Sequence, residues 1–296
     1  MNVMKSRGRA AAILASMIVA GAALQGCAAD DPGSSPSKTT GGAAMPEIAK
    51  LVPADFTKVV YVLDATYPPM SYQDASGKMT GVEFDLGMAV FERAGITADV
   101  QPATFDAIIP GIQAGKYDIS AFNDNAERQK IFDFVDLFQS GTSIVVALDN
   151  PKSLSIKDLC GTRVAVQLGS QQETTVAPEL DKACKDSGKK PLEVITYGSG
   201  NEAVLALISN RADSVLTETI SAAYAVSENA GKLSLTDDEP LNPHPVALGM
   251  MKGTGLAKAL QASLQSMMDD GAYAKVLADW GMETLKIESA TINAGS

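Results

Sequence analysis

Apolar and polar positions along the chain follow two rhythms. Short β-branched runs, Val59 to Asp64, Thr162 to Gln167 and Asp213 to Glu218, have the length and composition of buried strands. Between and after them lie stretches with apolar residues at helical spacing, Glu83 to Ala94, Gln171 to Ser187 and Ile220 to Asn229. Strand-like and helix-like segments in alternation predict an α/β fold with largely parallel sheets. Near the end, Leu256, Leu260, Leu264 and Met267 form an apolar stripe that Gly271 stops, and a second short helix from Ala272 to Trp280 is closed by Gly281. The methionines in these stripes read as core.

Local signals sharpen several boundaries. Phe84, Met88 and Phe91 share one helical face, and Gly95 stands where a C-terminal cap belongs. Ser170-Gln171-Gln172-Glu173 has the form of a capping box opening a helix directly after a strand, and Pro178 kinks or restarts that helix.

The first 26 residues differ from the rest. Lys5, Arg7 and Arg9 precede an apolar stretch from Ala10 to Leu24, which gives way to small residues. This is the layout of a secretion signal. At 15 residues the apolar stretch falls short of the roughly 20 that a membrane-spanning helix needs. Leu24-Gln25-Gly26-Cys27 resembles the bacterial lipobox, which implies cleavage before Cys27 and acylation of its sulfur, with Gln25 departing from the small or β-branched residue usual there. The other reading is an ordinary cleaved signal with an incidental cysteine. Residues 27–57 begin with a segment rich in Ala, Asp, Pro, Gly, Ser and Thr, and are expected to form a flexible tether.

Charge and cysteine content narrow the partners. The formal charge of −11 becomes −14 once Lys5, Arg7 and Arg9 leave with the signal, which argues against nucleic acid. Setting Cys27 aside leaves Cys160 and Cys184, either a disulfide suited to an oxidising compartment or two buried thiols. His244 is the one histidine and sits between Pro243 and Pro245, so a histidine-dependent triad or multi-histidine metal site lacks its parts. It reads as a loop residue. Gly198-Ser199-Gly200 is no nucleophile elbow, there is no phosphate-binding loop, and neither a cofactor nor a metal is implied.

Several segments, weak singly, are specific in their order and spacing. They are Asp64-Ala65-Thr66-Tyr67-Pro68-Pro69-Met70, Gly81-Val82-Glu83-Phe84-Asp85-Leu86, Gly115-Lys116-Tyr117-Asp118, Glu127-Arg128, Val164-Ala165-Val166-Gln167-Leu168-Gly169-Ser170 and Asp269-Asp270-Gly271-Ala272-Tyr273. Together they resemble the polar amino-acid family, family 3, of extracellular solute-binding lipoproteins of ABC transporters, from Val59 to Asn293. The resemblance implies a two-lobed periplasmic-binding-protein-like fold of type II, with two crossover strands and a ligand held between the lobes. Lobe 1 is expected over residues 58–146 and 246–296, and lobe 2 over 147–245. It also implies an exported, lipid-anchored monomer that takes up an amino acid or similar small zwitterion and works with ABC permease subunits.

Both charges of a zwitterion must be answered when it leaves water. Arg128 is the candidate for the carboxylate, because a guanidinium presents two parallel donors to two oxygens. Ser120, Ala121 and Asn123 are candidate neighbours. Ser170 and Gln171 lie at a helix start that suits an anion, although Ser170 is equally suited to capping alone. Glu218 stands where the family usually has the aspartate that takes the ligand ammonium. Tyr67 and Phe105 are candidates for an aromatic wall or for core, and Asp64 either answers a polar or basic side chain or caps its own loop. Two alternatives stay open: an enzyme resembling cyclohexadienyl or arogenate dehydratases on the same fold, with a cleft carboxylic acid, and a receptor lipoprotein outside transport.

Overall fold

In the computed structural model, residues 42–296 are described apart from Asp237 and Asp238. The expected signal over 1–26, Cys27 and the first part of the tether lie outside the described residues. Among the described residues no helix is long and apolar enough to cross a membrane.

The folded body starts earlier than the composition suggests. A short helix α1 (Pro46–Ala49) and a 3-10 turn (Ala54–Phe56) precede the first strand, with Ile48 buried and Met45, Val52 and Phe56 packed on the core. The expected tether to residue 57 therefore includes a segment anchored by a few apolar side chains, spaced too sparsely for a helical stripe to show in the sequence.

The first half of the chain supplies β1 (Lys58–Asp64), a small antiparallel sheet of β2 (Thr66–Tyr67), β3 (Ser71–Gln73) and β4 (Met79–Thr80), α2 (Val82–Ala94), β5 (Thr97–Ala103), α3 (Phe105–Gln113) and β6 (Ile119–Asn123). The long β7 (Phe132–Ala147) leads to β8 (Arg163–Gln167), a π-helical turn (Gln172–Val176), α4 (Ala177–Asp186), β9 (Glu193–Tyr197), α5 (Gly200–Ile208), β10 (Ser214–Glu218), α6 (Thr219–Glu228) and β11 (Leu233–Leu235). The chain returns along β12 (Leu241–Met251) and ends with α7 (Leu256–Asp269) and α8 (Ala272–Asp279). Pro178 occupies the first turn of α4, where its missing N–H is harmless, so the helix restarts there. Gly95 closes α2 in the left-handed conformation, at φ 73°.

The main sheet runs β5-β1-β6-β12-β7-β10-β8-β9, with β11 on β7. Pairing is parallel among β5, β1 and β6 and again among β10, β8 and β9. The two lobes are joined by β7 and β12, which run antiparallel to each other from Phe132 opposite Met251 to Thr142 opposite Leu241. The start of β7 thus belongs with β6 and β12, while Thr142 to Val146 pair with β10.

Apolar burial is divided accordingly. A large cluster packs α2, α7 and α8 on one side of the first lobe's strands, with the predicted stripe of Leu256, Leu260, Leu264 and Met267 fully inside it, and Ile108, Phe122 and Phe134 belong to a second cluster that packs with α3. The second lobe has two smaller clusters, around Val164, Val166 and Leu216 and around Ala203, Leu207 and Val215. Cys160 and Cys184 are disulfide-bonded at the edge of the first of these. A closed loop of this size stabilises a fold by roughly 3 kcal/mol, offsetting part of what a small core lacks.

Candidate ligand cleft

Four of the parallel strands are largely apolar and end on a polar residue. Asp64 ends β1, Asn123 ends β6, Gln167 ends β8 and Glu218 ends β10. Because the strands of each lobe point toward the junction, these four side chains converge in one cleft, the place where open α/β sheets hold ligands. All four are buried. They line a narrow cavity together with Tyr67, Glu83, Phe105, Ala121, Ser170 and Gln172, among others.

The lobes touch across this cavity. Gln167 Nε2 donates to Asp64 Oδ2 at 2.6 Å, and Asn123 Nδ2 donates to Glu218 Oε1 at 3.0 Å. Tyr67 Oη lies 3.0 Å from Thr217 Oγ1 and accepts from the Glu218 backbone N–H at 3.3 Å. Arg128 Nη2 donates to Gly169 O at 3.5 Å, at the start of the second lobe's helical segment.

Glu218 is the most heavily bonded group. It accepts from Asn123, from Gln172 Nε2 at 3.0 Å and from the Ser140 hydroxyl, and both its oxygens lie 3.2 Å from His244 Nε2. Burial alone would raise its pKa, but His244 and the hydroxyl and amide donors outweigh burial and hold it below the ordinary glutamate value. Arg128 sits beside the cavity, its Nη1 donating to Asn123 O at 3.1 Å and its guanidinium 5.4 Å from the Phe122 ring centre. Its backbone N–H is fixed by Asn125 Oδ1 at 2.9 Å. Burial pulls its pKa down to about 10, so it remains a cation at neutral pH.

The other end of the cavity is acidic. Asp64 Oδ1 accepts from the N–H and hydroxyl of Thr66, a local loop cap, while Oδ2 faces the cleft; burial raises its pKa despite these donors. Glu83, in the first turn of α2, accepts from Ser71 Oγ at 2.9 Å. Burial pushes its carboxyl up to about 8, with Asp64 and Glu218 adding to the shift.

Of the residues singled out from the sequence, Asp64, Tyr67, Phe105, Ala121, Asn123, Ser170 and Glu218 line the cavity and Arg128 flanks it. Two are placed otherwise. Ser120 Oγ is turned into the sheet, donating to Val62 O at 2.6 Å. The π-helical turn puts Gln172, not Gln171, on the cleft. Ser170 Oγ accepts from the Glu173 N–H at 3.2 Å, so it caps as well as lining the cavity. Sequence reasoning missed Glu83, Gln167 and Gln172, and it placed His244 in a loop although His244 is buried against Glu218. Among the described residues no group of histidine, cysteine, aspartate and glutamate could hold a metal ion.

The model of the bacterial extracellular solute-binding proteins, family 3, matches residues 59–283. The chain belongs to this family. It is 31% identical to the arginine-binding protein ArgT of Corynebacterium glutamicum, over 84% of this chain and 83% of that protein. It is 28% identical to the lysine/arginine/ornithine-binding periplasmic protein of Escherichia coli, over 72% and 83%. Among solved structures it is similar to an ancestral arginine-binding protein bound to arginine, with 32% identity, a TM-score of 0.68 and coverage of 76% of this chain and 98% of that one. It is also similar to the ancestral amino acid-binding protein AncCDT-1, described as a precursor of cyclohexadienyl dehydratase, with 31% identity, a TM-score of 0.66 and coverage of 76% and 95%. This family-3 protein is an extracytoplasmic solute-binding protein with an α/β two-lobed periplasmic-binding fold.

Proposed function

We propose that this family-3 protein captures an amino acid with a cationic side chain, of the arginine class, between lobe 1 (58–146 and 246–296) and lobe 2 (147–245), for delivery to the permease of an ABC importer. The observation that carries the reading is the excess of acid in the cleft. Asp64, Glu83 and Glu218 face one cavity, and Arg128 is the guanidinium beside it. A neutral zwitterion needs one partner of each sign. Asp64 and Glu83 are then left over at the far end, positioned for a second cation. Similarity to arginine-binding relatives supports the same assignment.

In this reading Arg128 binds the α-carboxylate by exchanging its carbonyl partners for two carboxylate oxygens. Glu218 takes the ammonium. Tyr67 and Phe105 enclose the aliphatic stem, and Asp64 with Glu83 takes the side-chain cation. The dehydratase alternative needs a carboxylic acid that stays protonated in the cleft. Glu218, held ionised by four donor side chains, is poorly suited to that role, and the cleft carboxyl whose pKa is raised to about 8, Glu83, is here assigned to the side-chain cation.

Export by a cleaved signal and anchoring through acylated Cys27 complete the proposal. The functional test is a thermal-shift series with L-arginine, L-lysine, L-glutamine and L-glutamate. A ligand at 100 times its dissociation constant adds about 2.7 kcal/mol of stability. The two cationic amino acids are expected to give the largest shifts, and a maximum with glutamate would refute the assignment.

A further inference from the structure

His244 is the one histidine of the chain, and it is 2% exposed. It lies on β12 opposite Ser140 of β7, so both crossover strands deliver a side chain to Glu218. Its Nδ1 is 2.5 Å from Asn242 O. A carbonyl oxygen only accepts, so Nδ1 carries a hydrogen. Its Nε2 faces both Glu218 oxygens at 3.2 Å, and Glu218 already accepts from Asn123, Gln172 and Ser140. A carboxylate surrounded by donors is favoured in its ionised form, and an ionised carboxylate only accepts. Nε2 must then carry a hydrogen too. The geometry is that of an imidazolium on a carboxylate, a buried pair with no net charge.

Two other charged groups lie around the ring. Arg128 acts on His244 from the first lobe, and Glu179 of α4 is reached through Asn242, whose Nδ2 donates to it at 3.3 Å. The neighbour on β7 is the uncharged Ser140. Burial depresses the imidazole pKa and Arg128 opposes protonation, but Glu218 and the Asn242 carbonyl outweigh both and raise it.

A ligand ammonium arriving at Glu218 would make a second cation on the same carboxylate, with Arg128 close by. Uncompensated charge in so enclosed a site is costly. We propose that His244 is a positioning residue whose Nε2 proton serves as the counter-charge of Glu218 in the unliganded cleft, and that this proton passes to solvent when the ligand ammonium docks. The charge balances: imidazolium, carboxylate and the incoming ligand ammonium become neutral imidazole, carboxylate and bound ammonium, with one proton given to the buffer. The neutral ring keeps its Nδ1 hydrogen on Asn242 O, and its Nε2 lone pair, left facing Glu218, accepts from the same ammonium that binds the carboxylate. The inference rests on the reading that Glu218 receives the ammonium.

The test is calorimetric titration of the mature protein at pH 6 in two buffers of different ionisation enthalpy. The probes are L-arginine and 5-guanidinopentanoate, which keeps the guanidinium and carboxylate but lacks the ammonium. Any proton that Glu83 gives to the buffer when the guanidinium docks appears with both probes, so the difference between them reads His244. L-arginine is expected to release about 0.5–1 proton more than the analogue. Its affinity relative to the analogue should fall by up to about tenfold per pH unit as pH drops below the imidazole pKa, and level off above it. His244→Gln should abolish both differences while still binding L-arginine. Equal proton release by the two probes, with binding intact, overturns the role of His244 and leaves the proposed function standing. Failure of every amino acid to bind overturns the function itself. If His244→Gln does not fold, the wild-type comparison decides alone.

Discussion

The two ends of the cleft are built on opposite plans. At one end half-buried Arg128 and buried Glu218 and His244 are charged and tied together, directly or through Asn123, with Gln172 and Ser140 also bonded to Glu218. At the other, Asp64 and Glu83 are carboxyl groups with raised pKa, and no cation among the described residues balances their charge. The first end is pre-organised, which suits the part of a ligand common to all amino acids. The second stores acid that only a cation would draw into its ionised form, which suits selection among side chains. Affinity and choice are thereby placed on different groups.

The comparison is tested most severely at the ordered end. Truncating one member of a buried, hydrogen-bonded charge pair costs roughly 2–5 kcal/mol, so Arg128→Ala should weaken L-arginine binding by roughly 30- to 5000-fold. Arg128→Lys should recover part of this, because the charge returns without the two-pronged donor. Calorimetry with circular dichroism as a folding control reads both. Equal affinity in Arg128→Ala would place the carboxylate elsewhere.

At the acidic end the expected effect is smaller and selective. Glu83→Gln should weaken L-arginine by about 10- to 100-fold, the range of a hydrogen bond to a charged group, and leave L-glutamine nearly unchanged. Equal losses for both ligands would make Glu83 a structural group and dissolve the contrast.

A further effect, read without a ligand, is on stability against pH. Glu83 titrates at about 8 in the folded protein, against about 4.3 for an unfolded chain. Its contribution to stability is therefore fully present below about 4.3 and is lost as pH rises toward about 8, because the unfolded state gives up the proton first. Thermal unfolding between pH 5 and 8 should show wild type losing stability faster than Glu83→Gln. His244, Asp136 and Asp64, also raised, are present in both proteins, so the difference between the profiles reads Glu83 together with its coupling to Asp64. Parallel profiles would mean that Glu83 is ionised without a ligand.

Much of this was legible in the chain. Apolar runs ending in Asp64 and Glu218 announced both the strands and the polar groups at their ends, because a strand buried in a parallel sheet must be apolar until it reaches the cleft. The misses have particular causes. Glu83 reads as an acidic residue complementing a helix N-terminus, and it is buried because β3 brings Ser71 over it. His244 between two prolines reads as a loop, and only the return of β12 beside β7 brings it to Glu218. Gln172 replaces Gln171 because the turn is π-helical, which shifts the side chain facing inward, and hydrophobic spacing carries no signal for that.

The most direct measurement compares L-arginine with L-citrulline on the wild-type protein by calorimetry at pH 7.5. Citrulline keeps the length, the α-carboxylate and the α-ammonium, and replaces the guanidinium with an uncharged urea. If the acidic end of the cleft selects a cation, arginine should bind at least about tenfold more tightly. Equal affinities would contradict that selection and reduce the protein to a binder of amino acids in general.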